Sequence, residues 1–509
     1  MGLTIAPAAA ATILLTVLSL GWAQIHDTPI FMYEGFLIVN DGTVPYRDLF
    51  EVNMPGTFVI YSTIVATLGT SDFAVRAADL GCLGVVSTST WLFLRHVDKV
   101  AAFGAVALFI WMYLSFGPSL ALQRDFLLLA PISVATLLAS REWRSSAAKV
   151  SVVGLVFGLA TLIKPQALVG AVPIAWYALA VQEGRIALRR DLVLFTGALI
   201  APGAIAIAVL LGYGALDDFW SMARNYWPLY GQLDWTHTAV TGTARLKYLV
   251  SGTQTLGGDA TWLIPGVLGA YNVAWVHRDD RRRARAALYL CSITIAFAVY
   301  PALSGQFFIY HWTPFRYCCV LLAVLCFVRY EAVPSLPGRH VAFAMLLPLL
   351  LSPLATRSFD TVRYSGAEKG LNPELRQKLP RVAGIETFLR ANLRPGDTVQ
   401  PLDWTGGAAH AMLRAKAHLA TPYIYDVHFY HHVSHAYIQD LRRRFIVDMT
   451  SVRPRFVVEI VKGKDTVRGP DTTQAFPELR ALLQSRYTTA QRTDEYVIYA
   501  LRGTPVSSP

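Results

Sequence analysis

LVLFTGALIAPGAIAIAVLLG, residues 192–212, runs for 21 residues without a charged side chain. A helix of about 20 apolar residues rises about 30 Å, the thickness of a bilayer's hydrocarbon core, so this run reads as a membrane span. Comparable runs lie on both sides of it. Residues 5–25, 76–94, 100–117, 126–140, 150–163, 166–182, 259–276, 286–303, 312–328 and 340–354 bring the set to eleven. The run 57–69 (TFVIYSTIVATLG) is too short to cross comfortably and reads as an interfacial or re-entrant helix; counting it and splitting another run gives thirteen.

The composition of the 509-residue chain agrees. Hydrophobic residues make up 54% and charged residues 16%, against about 25% charged in soluble domains, which excludes a soluble multidomain protein, a disordered chain and a coiled coil. All five cysteines, Cys82, Cys291, Cys318, Cys319 and Cys326, lie in apolar runs, so no disulfide framework exists. Downstream of Leu354 no run is long enough to span. The sequence therefore divides into a polytopic α-helical membrane region, 1–354, and a tail, 355–509.

Orientation follows from basic residues in short loops, which stay on the cytoplasmic side. Arg95 and Lys99, then Arg141, Arg144 and Lys149, then Arg185, Arg189 and Arg190, then the cluster from Arg278 to Arg285, then Arg329 and Arg339, occupy alternate loops. The expected topology is multi-pass with the N-terminus inside. The segment 26–75, the turn at Arg124, residues 213–258 and the tail then lie outside.

The tail reads as a small α/β domain. GIETFLRANL (384–393) and AYIQDLRRRFIVDM (436–449) carry helical periodicity, while DTVQPL (397–402), FVVEIV (456–461) and EYVIYAL (495–501) read as strands behind turn signals. No glycine-rich phosphate loop follows a strand, and no nucleic-acid partner is expected. The tail's 22 Lys and Arg against 15 Asp and Glu suit a surface near anionic headgroups or one that recruits an anionic acceptor. His428, His431, His432 and His435 would share helix faces at metal-binding spacing if that stretch were helical, but no acid accompanies them.

Between the first two spans, HDTPIFMYEGFLIVNDGTVPYRDLFEVNMPG (26–56) sets Asp27, Glu34, Asp41, Asp48 and Glu51 among aromatics, prolines and glycines. A loop of this kind folds back on the membrane surface, where a partly dry carboxylate has a raised pKa and accepts a proton from a hydroxyl. Asp27 is the first acid beyond the first span, and Asp125 opens an apolar helix on the same side. Each reads either as a helix-flanking charge or as one of two acids converging on an external cavity, one as base and the other orienting it or holding an ion. Cations on that side, Arg76, Lys164 and Arg316 among them, need an anionic partner at membrane depth, and a lipid phosphate or the headgroups would serve.

The succession Asp27, Tyr33-Glu34-Gly35, GTVPYRDLFEVNMPG, LGTSDFAVRAADL, QRDFLLL, LIKP and GQFFIYHWTPF resembles the superfamily C glycosyltransferases, nearest the protein O-mannosyltransferase and lipid A aminoarabinose transferase branch. The resemblance implies a transferase that takes a sugar from a polyprenyl phosphate carrier and passes it to a hydroxyl on a lipid, glycan or protein, outside a bacterial cytoplasmic membrane. By the same resemblance Asp27 is the general base and Asp125 the second catalytic acid. Tyr33, Glu34, Tyr46, Arg47, Asp48, Glu51, Arg76, Lys164, His311 and Arg316 are expected to bind substrates. A divalent cation is left open and no metal ligands are assigned. The chain departs from the family where Thr28 follows Asp27 in place of a second acid, and where Asn53-Met54-Pro55 stands in place of Lys-Pro-Pro. The missing lysine leaves the phosphate-binding cation to be found among Arg76, Lys164 and Arg316. A multi-span transporter or flippase is the competing class, against which stand the absence of an internal repeat and the gathering of acids on one face.

Overall fold

The apolar runs that fall on described residues are largely helical, although the first, 5–25, is helical only as far as Ser19. The structure, a computed structural model, describes residues 2–180, 188–233, 240–255, 262–276, 279–328, 354–365 and 373–506. The run 340–354 lies outside them except for its last residue, which opens the helix Leu354–Ser365. Five described helices are long and apolar enough to cross a membrane by length and composition: Asp72–Leu94, Ser146–Ile163, Leu188–Gly212, Arg281–Ser304 and the composite Ile309–Phe327. Shorter apolar helices cover Ala6–Ser19, Pro55–Leu68, Lys99–Ser115, Pro165–Ala180 and Leu263–Trp275.

The chain packs as two units. One comprises Met1–Ala23, Arg76–Ala206 and Val240–Gly366 and holds most of the apolar helices. Within it, helices meet through small residues, because lipid gives no hydrophobic reason for two apolar helices to associate and close packing must supply it. Gly154 and Gly158 sit one turn apart on Ser146–Ile163, facing Leu188–Gly212, where a Cβ would come within 2.5 Å of the Phe195 and Leu199 carbonyl oxygens. The helix Arg281–Ser304 packs beside Thr313–Ala323, whose side chains are all buried.

The other unit comprises Gln24–Val75, Ile207–Ala239 and Ala367–Pro509, so the segment 26–56 folds with the tail. Half of that segment is the helix Thr28–Asp41, begun by Pro29 and closed by Gly42 in the left-handed region (φ 68°), which the acid-and-aromatic composition alone did not reveal. Its far end is tied to the tail where Tyr33 Oη donates to the Ala417 carbonyl (2.9 Å) and His418 Nδ1 meets Asp41 Oδ1 (2.7 Å).

The tail contains a five-stranded sheet: β1 Thr398–Leu402, β2 His418–Leu419, β3 Phe456–Ile460, β4 Tyr487–Arg492 and β5 Tyr496–Leu501, in the order β2-β1-β3-β5-β4. β2, β1 and β3 run parallel, with Val399 opposite Phe456, while β5 runs antiparallel to β3 and to β4. The three strands expected from sequence are the buried central ones, apolar because helices such as Pro373–Asn392 and Ala408–Ala415 supply covering side chains. The two others are a two-residue edge strand and the polar YTTAQR, whose exposed residues carry no apolar signal.

Candidate active site

Asp27 sits immediately before the helix Thr28–Asp41, 8% exposed. Its carboxylate makes no capping hydrogen bond to that helix; instead Oδ2 lies 3.2 Å from His26 Nδ1. An N-cap aspartate whose role is to satisfy helix N–H groups would accept from the second or third of them.

The same unit gathers other acids and phenols of the segment 26–56. Glu34 and Glu51 are each 1% exposed. Glu51 Oε1 accepts from the Asn53 side-chain amide (2.6 Å) and from the Asn53 backbone N–H (3.2 Å), and Oε2 accepts from Tyr425 Oη. Tyr46 Oη donates to the Asn53 carbonyl (2.6 Å). Burial first, and then the charges of Glu51 and Glu34, push the phenols of Tyr46 and Tyr425 well above the ordinary tyrosine range. Both are therefore hydrogen-bond donors throughout the physiological range. Arg47 and Asp48 form an ion pair (2.8 Å) at the surface, and Arg47 Nη1 also donates to the Tyr213 carbonyl (3.0 Å).

The remaining candidates belong to the other unit. Asp125 is fully buried, with Lys164 Nζ 2.7 Å from Oδ2 and Tyr300 Oη donating to Oδ1 (2.6 Å). Lys164 terminates Ser146–Ile163 and lies over the rings of Tyr310 (5.5 Å) and Tyr300 (5.9 Å). His311, on the adjacent 3-10 turn Ile309–Trp312, has Nδ1 3.3 Å from Ser304 Oγ. Arg316, 2% exposed, donates from Nη1 to the Ile309 carbonyl (2.9 Å) and lies 4.5 Å above the Phe116 ring. Arg76 is paired differently: Nη1 meets Asp79 Oδ2, Nη2 donates to Ser19 Oγ (2.6 Å), and the guanidinium lies over Trp22. Asp79 Oδ1 in turn accepts from Tyr113 Oη (2.5 Å) and Leu122 N–H (2.8 Å).

Tyr300, Tyr425 and Asp79 complete these arrangements and were not singled out in the sequence, and Asn53 was noted there only as a departure from the family pattern. Only Asp79 carried a local signal, since Arg76 and Asp79 are three apart on one helix face. The histidine stretch is not one helix: a 3-10 turn at Val427–Phe429 gives way to bends, so the spacing for shared faces does not arise. His428 Nδ1 and His431 Nε2 (3.0 Å) meet the single hydroxyl of Tyr226 instead. Among the described residues no group of three or more His, Cys, Asp or Glu is placed to hold a metal.

Burial lowers the pKa of both histidines, that of His431 to about 3. A depressed histidine is neutral when folded and takes up a proton when unfolded, so its contribution to stability is complete above about pH 6.5 and is lost as pH falls towards about 3. The thermal midpoint is expected to fall between pH 6.5 and 4, and His431→Gln to flatten that fall; equal slopes in both proteins would contradict it.

No family model and no curated protein matches the sequence. Solved structures do match. The crystal structure of ArnT from Cupriavidus metallidurans bound to undecaprenyl phosphate aligns over 99% of both chains with a TM-score of 0.60 at 14% identity. Its apo form aligns over 97% of both with the same TM-score at 13% identity. The archaeal oligosaccharyltransferase AglB from Archaeoglobus fulgidus aligns with a TM-score of 0.45 at 14% identity, over 89% of this chain and 69% of that one. The chain has the fold of ArnT. Within that fold its similarity runs end to end along ArnT.

Proposed function

We propose that the chain is a membrane glycosyltransferase that moves a sugar from a polyprenyl phosphate carrier to a hydroxyl acceptor on the outer side of the cytoplasmic membrane. The observation that carries the reading is Asp27: a nearly buried carboxylate at the start of the helix Thr28–Asp41, in a chain folded like a protein solved with undecaprenyl phosphate. In the reaction the acceptor oxygen forms a bond to the anomeric carbon. The bond from that carbon to the carrier phosphate breaks, its electron pair leaves on the phosphate, and the hydroxyl proton passes to Asp27.

The departing phosphate needs cations. Lys164 lies over Tyr310 and Arg316 donates to the Ile309 carbonyl, so both cations meet the turn Ile309–Trp312, and we assign the phosphate to them. Asp125 has both oxygens engaged by Lys164 and Tyr300, which suits it to orient the lysine rather than to take a proton. Glu51, held by Asn53 and Tyr425, and Glu34 with Tyr33 and Tyr46 shape the acceptor side.

Undecaprenyl phosphate titrated into the purified chain tests this assignment. Lys164→Met and Arg316→Met are each expected to weaken binding about tenfold or more, the loss of a hydrogen bond to a charged group. Unchanged affinity in both would remove the assignment.

A further inference from the structure

The unit that holds residues 26–56 and the tail contains a cavity of about 330 Å³, lined in part by Tyr46, to which no ligand has been assigned above. We propose that it is a binding site for one sugar residue of a neutral glycan, which makes a glycan the acceptor class; the acceptor role rests on the transferase reading, the site's chemistry does not.

Size comes first. The volume is at the small end of the roughly 300–1,000 Å³ of small-molecule pockets, fitting a compact ligand rather than a lipid tail or a folded partner. The floor is aromatic, with Tyr46, Phe50 and Tyr423 contributing their rings. Phe50 and Tyr423 lie 5.5 Å apart, and the segments that carry them are joined by Phe50 N–H donating to the Pro422 carbonyl (2.8 Å). Tyr46 takes up a left-handed backbone (φ 72°), unusual for a residue with a bulky side chain, and its ring is braced edge-on by Phe219 (5.0 Å). The floor is thus set before a ligand arrives. Aromatic surface of this kind takes the C–H face of a pyranose or furanose ring.

The rim is charged but balanced. Arg47 is paired with Asp48, and Arg443 and Arg444 are both paired with Asp440, Arg444 at 3.0 Å. Asp218 and Asp448 also line the cavity, and neither carboxylate has a hydrogen-bond or ion-pair partner among the described residues. Burial raises the pKa of both acids, with the charge of Asp217 adding to the effect at Asp218. Compensated arginines exclude a strong anion site, and two acceptor groups at the rim call for a ligand rich in donors. Vicinal hydroxyls over an apolar ring face answer both requirements.

Saturation-transfer NMR on the full chain in lipid nanodiscs tests the site. Methyl α-mannopyranoside, methyl β-galactopyranoside and methyl α-arabinofuranoside serve as probes, and undecaprenyl phosphate binding is measured on the same samples. The ring protons of at least one glycoside are expected to saturate. Asp218→Asn with Asp448→Asn, both on the rim where they leave the fold intact, are expected to reduce that signal about tenfold. No saturation with any probe, or the same saturation in the variant, overturns the assignment. Carrier binding without glycoside saturation rejects the cavity and leaves the transferase; glycoside saturation without carrier binding does the reverse.

Discussion

Asp27→Asn is expected to lower the rate of sugar transfer by about 10² to 10⁴, the contribution of a positioned general base, while leaving the thermal midpoint within experimental error. The amide has the size of the carboxylate and keeps its ability to accept a hydrogen bond, but it does not take a proton. The loss therefore falls on the chemical step. Single-turnover transfer at saturating carrier isolates that step from binding, and a rate within threefold of wild type would remove Asp27 from the mechanism. Stability is the control: the substitution keeps the size of the side chain, and the helix Thr28–Asp41 starts on Pro29.

The second large effect concerns stability rather than rate. Asp79→Ala is expected to destabilise the chain by about 3–5 kcal/mol, because it strands the Arg76 guanidinium, 2% exposed, in the packed helices without its counter-charge. Tyr113 and the Leu122 amide lose their acceptor at the same time. Removing both charges, Arg76→Met with Asp79→Leu, is expected to recover most of the loss, as buried pairs replaced by apolar groups often do. Equilibrium unfolding in mixed detergent measures all three. If the double variant is as damaged as the single, or if Arg76→Met weakens carrier binding without loss of stability, then Arg76 works on the substrate and not on the fold.

These two sites differ in how far they could be read from the sequence. The helices were legible because an apolar run of sufficient length has few alternatives: the segment 192–212 appears inside the helix Leu188–Gly212. The central strands were legible for the same reason, and the edge strand Tyr487–Arg492 was not, since its exposed threonines, glutamine and arginine resemble a loop. Asp125 and Lys164 were visible as isolated charges at the ends of apolar runs, but their pairing joins positions 39 apart with no period between them. Tyr300 was hidden, since a tyrosine in an apolar run looks like any interfacial aromatic until its hydroxyl is seen on Asp125. The histidine stretch misled in a different way. Spacing suggests a shared face only for a helix, and Val427–Phe429 makes one 3-10 turn before the chain bends, sending His428 and His431 to Tyr226.

The roles of Asp27 and of the carrier meet in a single balance. With wild-type protein, labelled polyprenyl phosphate sugar and an acceptor, each sugar transferred should free one carrier phosphate; no phosphate should be freed without acceptor, and almost none by Asp27→Asn. Carrier phosphate released at the wild-type rate by Asp27→Asn, or labelled carrier moved across a sealed vesicle with its sugar still attached and none transferred, would contradict the account.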